Sequence, residues 1–347
     1  MALGGNRRCP TYPVRMARSA LTLAALATSA VAGLDVVGVQ GFGSASGGDY
    51  DAALLTGRDG RHWIVRVPRS ERAEAEQSAD LVALRALSAG VRSRLPFSVS
   101  LFAGQAPVAG TRAVVSEFVY GAKVPLASID AGLGASIGRA IAAIHALPTS
   151  VVADAGLPQH SAGDGHRAAL ALIDRAAATG LVPAALLQRW REAGTDAGLW
   201  QYTPCVINGS LGSDAILSSG DEVTGVLDWH GLRVGDPAID LQWLLGGAED
   251  TVDAAFSAYA AARGPLDLRL RQRAALVAEL EVARWLLHGT EVRSTEIVDD
   301  AVEMMSQLVD DVHADVMHPI TPHTAPILGL DEVQDLLEQT ERRRAAG

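Results

Sequence analysis

The stretch that most constrains this chain is residues 206–241, VINGSLGSDAILSSGDEVTGVLDWHGLRVGDPAIDL. Two short strands are legible in it, over 215–218 and 223–228, and Ser219-Gly220-Asp221 between them supplies the turn of a β-hairpin. The pattern puts Asp228 at the end of the second strand, beside a loop. A carboxylate in that position can hold Mg2+ against a nucleotide phosphate. Gly235-Asp236-Pro237 then predicts a helix start, with Asp236 at the N-cap and Pro237 at the first helical position.

Upstream, residues 34–40 are a β-branched run, 41–49 a Gly/Ser-rich turn and 50–55 a second extended run, so the first two strands form a hairpin with a glycine-rich tip that contains Gly43. A tight turn at 58–61 leads into a third strand over 62–67. Ser70 is a good N-cap for a helix whose start carries Glu71, Glu74 and Glu76 and whose apolar side continues through Leu81, Leu84 and Leu87. Runs at 97–103 and 111–119 predict two further strands. After a break at 121–125, Leu133, Ile137, Ile141 and Ile144 recur at helical spacing. Further helices are expected over 167–178, 183–193, 251–262, 266–288 and 295–312, then a proline-bearing connector and a charged terminal helix over 331–344. The chain of 347 residues is therefore read as α+β. Residues 1–33 are a leader and helix, 34–121 a small β-rich N-lobe, 122–318 a larger, mainly helical C-lobe, and 319–347 a linker and terminal helix.

The N-terminus imitates a secretory signal. Arg7, Arg8, Arg15 and Arg18 precede an uncharged run over 19–34, and both Ala25-Leu26-Ala27 and Ala30-Val31-Ala32 match the small-residue cleavage pattern. The competing readings are a short helix leading into the first strand, or a true start at Met16. Because 34–40 supplies that first strand, and cleavage after Ala32 would crowd it, the expectation is cytoplasmic. No membrane span is expected, since no uncharged run reaches about 18 to 20 apolar residues. A net charge of −11 argues against nucleic acid as a partner. Cys9 and Cys205 lie too far apart, with no second pair, to suggest a disulfide framework or a zinc site.

These features together resemble the aminoglycoside/macrolide phosphotransferase family, a branch of the kinase fold that modifies small molecules. The family's catalytic loop reads H-G-D-x-x-x-x-N, followed by a hairpin ending in I-D-W or similar and then by G-D-P-x-x-D-L. Here Gly225-Val226-Leu227-Asp228-Trp229 and Gly235-Asp236-Pro237-Ala238-Ile239-Asp240-Leu241 stand at the matching positions, and residues 140–148 (AIAAIHALP) resemble the family's A-x-x-H-x-L-P helix. The resemblance covers about residues 34–310 and implies a bilobal protein-kinase-like fold, ATP or GTP with Mg2+ as cofactor, and a small hydroxylated molecule as substrate. It implies that Asp228 holds the metal. Arg66 takes the place of the strand lysine that meets nucleotide phosphates, and Glu76 holds Arg66, with Glu74 and Asp80 as alternatives. Glu117 and Val119 belong to the hinge whose backbone meets the adenine edge, and Gly43 to the glycine-rich cover. Asp236 is read as a helix cap, and Asp240 as an acceptor for loop backbone near Asn208.

The catalytic loop departs from the family pattern. Asn208 stands in place of the histidine, Ser210 in place of the catalytic aspartate, and Ala215 in place of the metal-binding asparagine. A serine hydroxyl has no basicity comparable to a carboxylate, and loss of a general base costs roughly 10²- to 10⁴-fold in rate. The expectation is a catalytically impaired pseudokinase that still binds nucleotide. The alternative is an active O-phosphotransferase in which Asp214, one residue before Ala215, substitutes as base.

Overall fold

The computed structural model describes residues 17–43, 48–264 and 267–314. The chain divides into two compact units, one comprising the chain to Arg167 and Gln201–Ala278, the other Ala168–Trp200 and the chain from Glu279.

The first unit opens with α1 (Ala20–Ala30), capped by the Ser19 hydroxyl. Strands β1 (Val36–Gly41), β2 (Tyr50–Gly57) and β3 (His62–Pro68) follow, then α2 (Glu71–Ala86) and the short α3 (Ala89–Arg92). The two-residue β4 (Ser98–Val99) precedes β5 (Phe102–Val108) and β6 (Thr111–Glu117). The antiparallel sheet has the order β1-β2-β3-β6-β5. One face is apolar: Ala53, Leu55, Val65, Val67, Ala113 and Val115 are fully buried there, in one cluster with Leu23 and Ala27 of α1. The signal-like run is thus part of the core of this sheet. An ion pair from Arg18 to the buried Asp51, which also takes Arg69, ties the segment down. The strand alternation that buries Val65 and Val67 turns Arg66 to the opposite face.

One predicted element divides. Residues 97–103 are not one strand: β4 pairs in parallel with β9 (Glu222–Val226), while β5 joins the larger sheet. The alternation of residues 97–101 breaks at Leu101-Phe102, where β5 begins.

Beyond β6, α4 (Ala131–His145) buries Leu133, Ile137, Ile141 and Ile144, as its spacing predicts. Then come α5 (Ser150–Ala153), α6 (Ala162–Ala178), α7 (Ala184–Thr195), β7 (Cys205–Ile207), β8 (Ile216–Ser219), β9, β10 (Arg233–Gly235), α8 (Ala238–Leu241) and α9 (Glu249–Arg263). Helices α4 and α9 cross closely at Gly138, where an added Cβ would lie 2.1 Å from the Ala255 carbonyl oxygen. The chain continues through α10 (Leu270–Val292) and α11 (Thr295–Ala314). In the second unit, Trp190 of α7 is fully buried and donates through Nε1 to Glu279, which also takes Arg189. The expected proline connector and terminal helix lie outside the described residues. Among the described residues no helix is long and apolar enough to cross a membrane.

Candidate active site

The site assembles in the first unit around a cavity of about 620 Å³ lined by Tyr50, Ile64, Arg66, Glu76, Gln77, Asp80, Ser116, Lys123, Ser210, Asp214, Asp228 and His230, among others. Strand β3 delivers Arg66 from one side. The loop after β7 and the end of β9 deliver Ser210 and Asp228 from the other.

That loop is held by buried carboxylate chemistry. Asp240, on α8, is wholly buried and accepts the amides of Asn208 and Gly209, each at 2.7 Å. Its Oδ2 also lies 3.1 Å from Nε2 of the buried His145, whose Nδ1 meets the Tyr259 hydroxyl at 2.9 Å. Asp240 thus does what the resemblance implies. Gly209 adopts φ +78°, and a Cβ there would lie 2.3 Å from the Gly231 carbonyl oxygen, so the turn needs glycine on both counts.

The side chains on this loop are turned inward. Asn208 is fully buried, and its Oδ1 accepts the Ser210 amide at 3.0 Å, which fixes the amide's orientation and leaves the buried Nδ2 with no partner among the described residues. The Ser210 hydroxyl has one proton and two acceptors, Asn208 Oδ1 at 2.9 Å and the Asp228 carbonyl at 2.6 Å. Ala215 is almost wholly buried and presents a methyl group where the family pattern has an amide. Asp214, beside it, is exposed and lines the cavity.

Asp228 adopts a left-handed backbone, φ +54°, a conformation Asp tolerates better than most side chains. Its carboxylate lies 3.8 Å from the Arg66 guanidinium, with both side chains about a third exposed at 34%. A pair at that distance and exposure contributes little to stability, but it aligns the two groups across the cavity. Arg66 also lies over the Tyr50 ring, 6.0 Å from its centroid. The Tyr50 hydroxyl donates to the Ala73 carbonyl at 2.8 Å, and burial, reinforced by the charge of Glu76, pushes its pKa up to about 12.

One expectation needs correction. Glu76, assigned to hold Arg66, instead pairs with Arg72 at helical i,i+4 spacing, and Arg66 faces Asp228. One turn further along α2, Asp80 accepts the Trp229 amide at 2.7 Å and feels the charges of both Asp228 and Arg66. Burial raises its carboxyl above the usual range, and the Trp229 N–H partly offsets this. Glu117 and Val119 line a second cavity of about 960 Å³, with Leu101, Tyr120 and Thr224. The Glu117 side chain pairs with Arg61, its amide bonds the Leu101 carbonyl, and the next amide, of Phe118, bonds the His62 carbonyl. Gly43 adopts φ +90° in the turn after β1 and is not among the residues lining the first cavity. Lys123, Gln77 and His230 enter that lining without a sequence signal of their own; Asp80 had one, its place one turn beyond Glu76 on the same helix face.

A strand cation facing a carboxylate at the end of a hairpin, beneath an antiparallel sheet and its acidic helix, defines a kinase-like phosphotransferase fold. The model of the phosphotransferase enzyme family (APH) matches residues 44–277, and the chain belongs to that family. Among solved structures, a macrolide 2'-phosphotransferase from Brachybacterium faecium, MphH, is 22% identical with a TM-score of 0.68, over 81% of this chain and 96% of that one. Macrolide 2'-phosphotransferase type I is 25% identical with a TM-score of 0.65, over 82% and 95%. The GDP and kanamycin complex of an APH(2") enzyme is 19% identical with a TM-score of 0.68, over 84% and 99%. No curated protein matches the sequence significantly.

Proposed function

We propose that this chain is a nucleotide-binding, catalytically impaired member of its family. The observation that carries the reading is the state of Ser210: its hydroxyl, too weak a base to take a proton from a substrate, is turned onto Asn208 Oδ1 and the Asp228 carbonyl. Arg66 and Lys123 would meet the phosphates of ATP or GTP, with the polar lining of the cavity around them. Nucleotide use is supported by the GDP held in a structural neighbour, and a small hydroxylated partner by the kanamycin in the same complex. Mg2+ fits on one side only. Asp228 faces the cavity and would hold the ion against phosphate oxygens, as a lone carboxylate can. Ala215 offers no donor, and among the described residues no three His, Cys, Asp or Glu side chains are grouped to share an ion. When bound, the ion would offset phosphate charge.

The expected result is stabilisation of the purified protein by ATP or GTP with Mg2+, by about 2.7 kcal/mol at a hundredfold excess over Kd, with phosphoryl transfer to hydroxylated acceptors far below ordinary enzyme rates. Turnover at ordinary rates would end the impaired reading; no shift with either nucleotide would end the binding reading.

The exposure of Asp214 beside Ser210 and Asp228 supports a second reading, an active enzyme with a substituted base. It requires Asp214→Ala to abolish whatever turnover the wild type shows; unchanged turnover in that variant rules it out. The cytoplasmic expectation is supported by the burial of Leu23 and Ala27 in the core of the sheet, since cleavage after Ala32 would remove both.

A further inference from the structure

The peptide unit between Asp228 and Trp229 is bonded at both of its polar atoms by side chains from distant parts of the chain. Its carbonyl oxygen accepts the Ser210 hydroxyl at 2.6 Å, from the loop after β7. Its N–H donates to Asp80 Oδ1 at 2.7 Å, from α2. The residue that follows is anchored as well: the Trp229 ring is fully buried, stacks on Phe97 at 6.5 Å between centroids, and donates through Nε1 to the Val226 carbonyl. On the other side stands Asp228 in its left-handed conformation.

We propose that Ser210 and Asp80 are positioning residues, a two-ended clamp on this peptide that holds the Asp228 carboxylate toward Arg66. A peptide plane is rigid, so fixing both its oxygen and its N–H removes rotation about the Asp228 Cα–C bond. The φ and side-chain torsions of Asp228 remain, and the 3.8 Å approach to Arg66 limits those. Ser210 therefore has a role that its failure as a base does not reveal. Because one jaw sits on α2, the clamp also makes the aim of Asp228 depend on the placement of that helix.

The test uses the full chain and the variants Ser210→Ala, Ser210→Thr, Asp80→Ala and the Ser210→Ala/Asp80→Ala double. Without ligand, hydrogen exchange over residues 226–232 is expected to accelerate in both single alanine variants, and to stay at the wild-type rate in Ser210→Thr, which keeps the hydroxyl. The second alanine should add far less than the first, since both jaws act on one peptide; independent packing roles would add. With ATP and Mg2+, Ser210→Ala should bind about tenfold more weakly, one hydrogen bond's equivalent, and Ser210→Thr should bind as wild type. This affinity measurement rests on the nucleotide reading above. Unchanged exchange in Ser210→Ala, or a threonine variant that behaves like the alanine, overturns the clamp. If the wild type binds neither ATP nor GTP while the exchange response is present, the nucleotide reading falls and the clamp stands. If Asp80→Ala does not fold, the Ser210→Ala and Ser210→Thr pair decides alone.

Discussion

The triple variant Asn208→His, Ser210→Asp, Ala215→Asn is expected to gain nucleotide hydrolysis of about 10²- to 10⁴-fold, the usual contribution of a positioned general base. Ser210→Asp by itself should gain little. A carboxylate in the rotamer of the serine has no proton to offer, and it would face two acceptor oxygens, Asn208 Oδ1 and the Asp228 carbonyl, where the hydroxyl now lies 2.9 and 2.6 Å away. Replacing Asn208 removes one of them. Phosphate release, followed beside the melting temperature, separates the outcomes. A triple variant that melts like the wild type and hydrolyses nothing would show that the groups around Asp228 no longer form a working centre. Full activity from Ser210→Asp alone would show that the loop's internal bonds are no obstacle.

Arg273→Ala should cost about 3–5 kcal/mol of stability, the typical penalty for breaking a buried ion pair from one side. Arg273 is fully buried, bonds Asp236 through Nε at 2.7 and 2.9 Å, reaches Asp267, and lies over the Tyr202 ring 4.4 Å from its centroid. Asp236 in turn accepts the Ala238 amide at the start of α8, the helix that carries Asp240. Burial already pushes the Asp236 carboxyl above its ordinary range against the pull of Arg273. Without that guanidinium, a nearly buried carboxylate must either take up a proton or remain unpaired. Urea unfolding measures the loss; a change under about 1 kcal/mol would mean the pair is not what steadies α8. Arg273→Lys should recover only part of the loss, since the ammonium keeps the charge but not the planar fork.

Much of the catalytic-loop architecture was legible from local pattern. The hairpin over 215–228 and the apolar stripe of α4 follow from residues that carry their own signal, turn residues and a 3.6 period, whereas the role of Asp240, 32 residues from Asn208, came from the family resemblance. Asp236 bonds the Ala238 amide as a cap would, but its larger partner, Arg273, lies 37 residues away and left no mark on the motif. The partner of Arg66 was misassigned for a similar reason. Glu76 and Asp80 share one helix face, so spacing favours neither, and only the tertiary fold puts Asp228 within reach of Arg66. The expected hinge at Glu117 and Val119 rests on position alone, and the backbone contacts of Glu117 and Phe118, with Leu101 and His62, depend on strands that local sequence does not pair.

By itself the sequence determined the hairpin, the periodic helices and the strand-end carboxylate, because each of these is a property of neighbouring residues along the chain, and the family resemblance marked Asn208, Ser210 and Ala215 as replacements. Only the tertiary structure decided what the replacements do. The Ser210 hydroxyl acquires its acceptor from Asp228, 18 residues on, and the far end of that same peptide is held by Asp80, 149 residues away from Trp229. A hydrogen bond reads distance in space, and separation along the chain carries no record of it until the helix, the loop and the hairpin have packed.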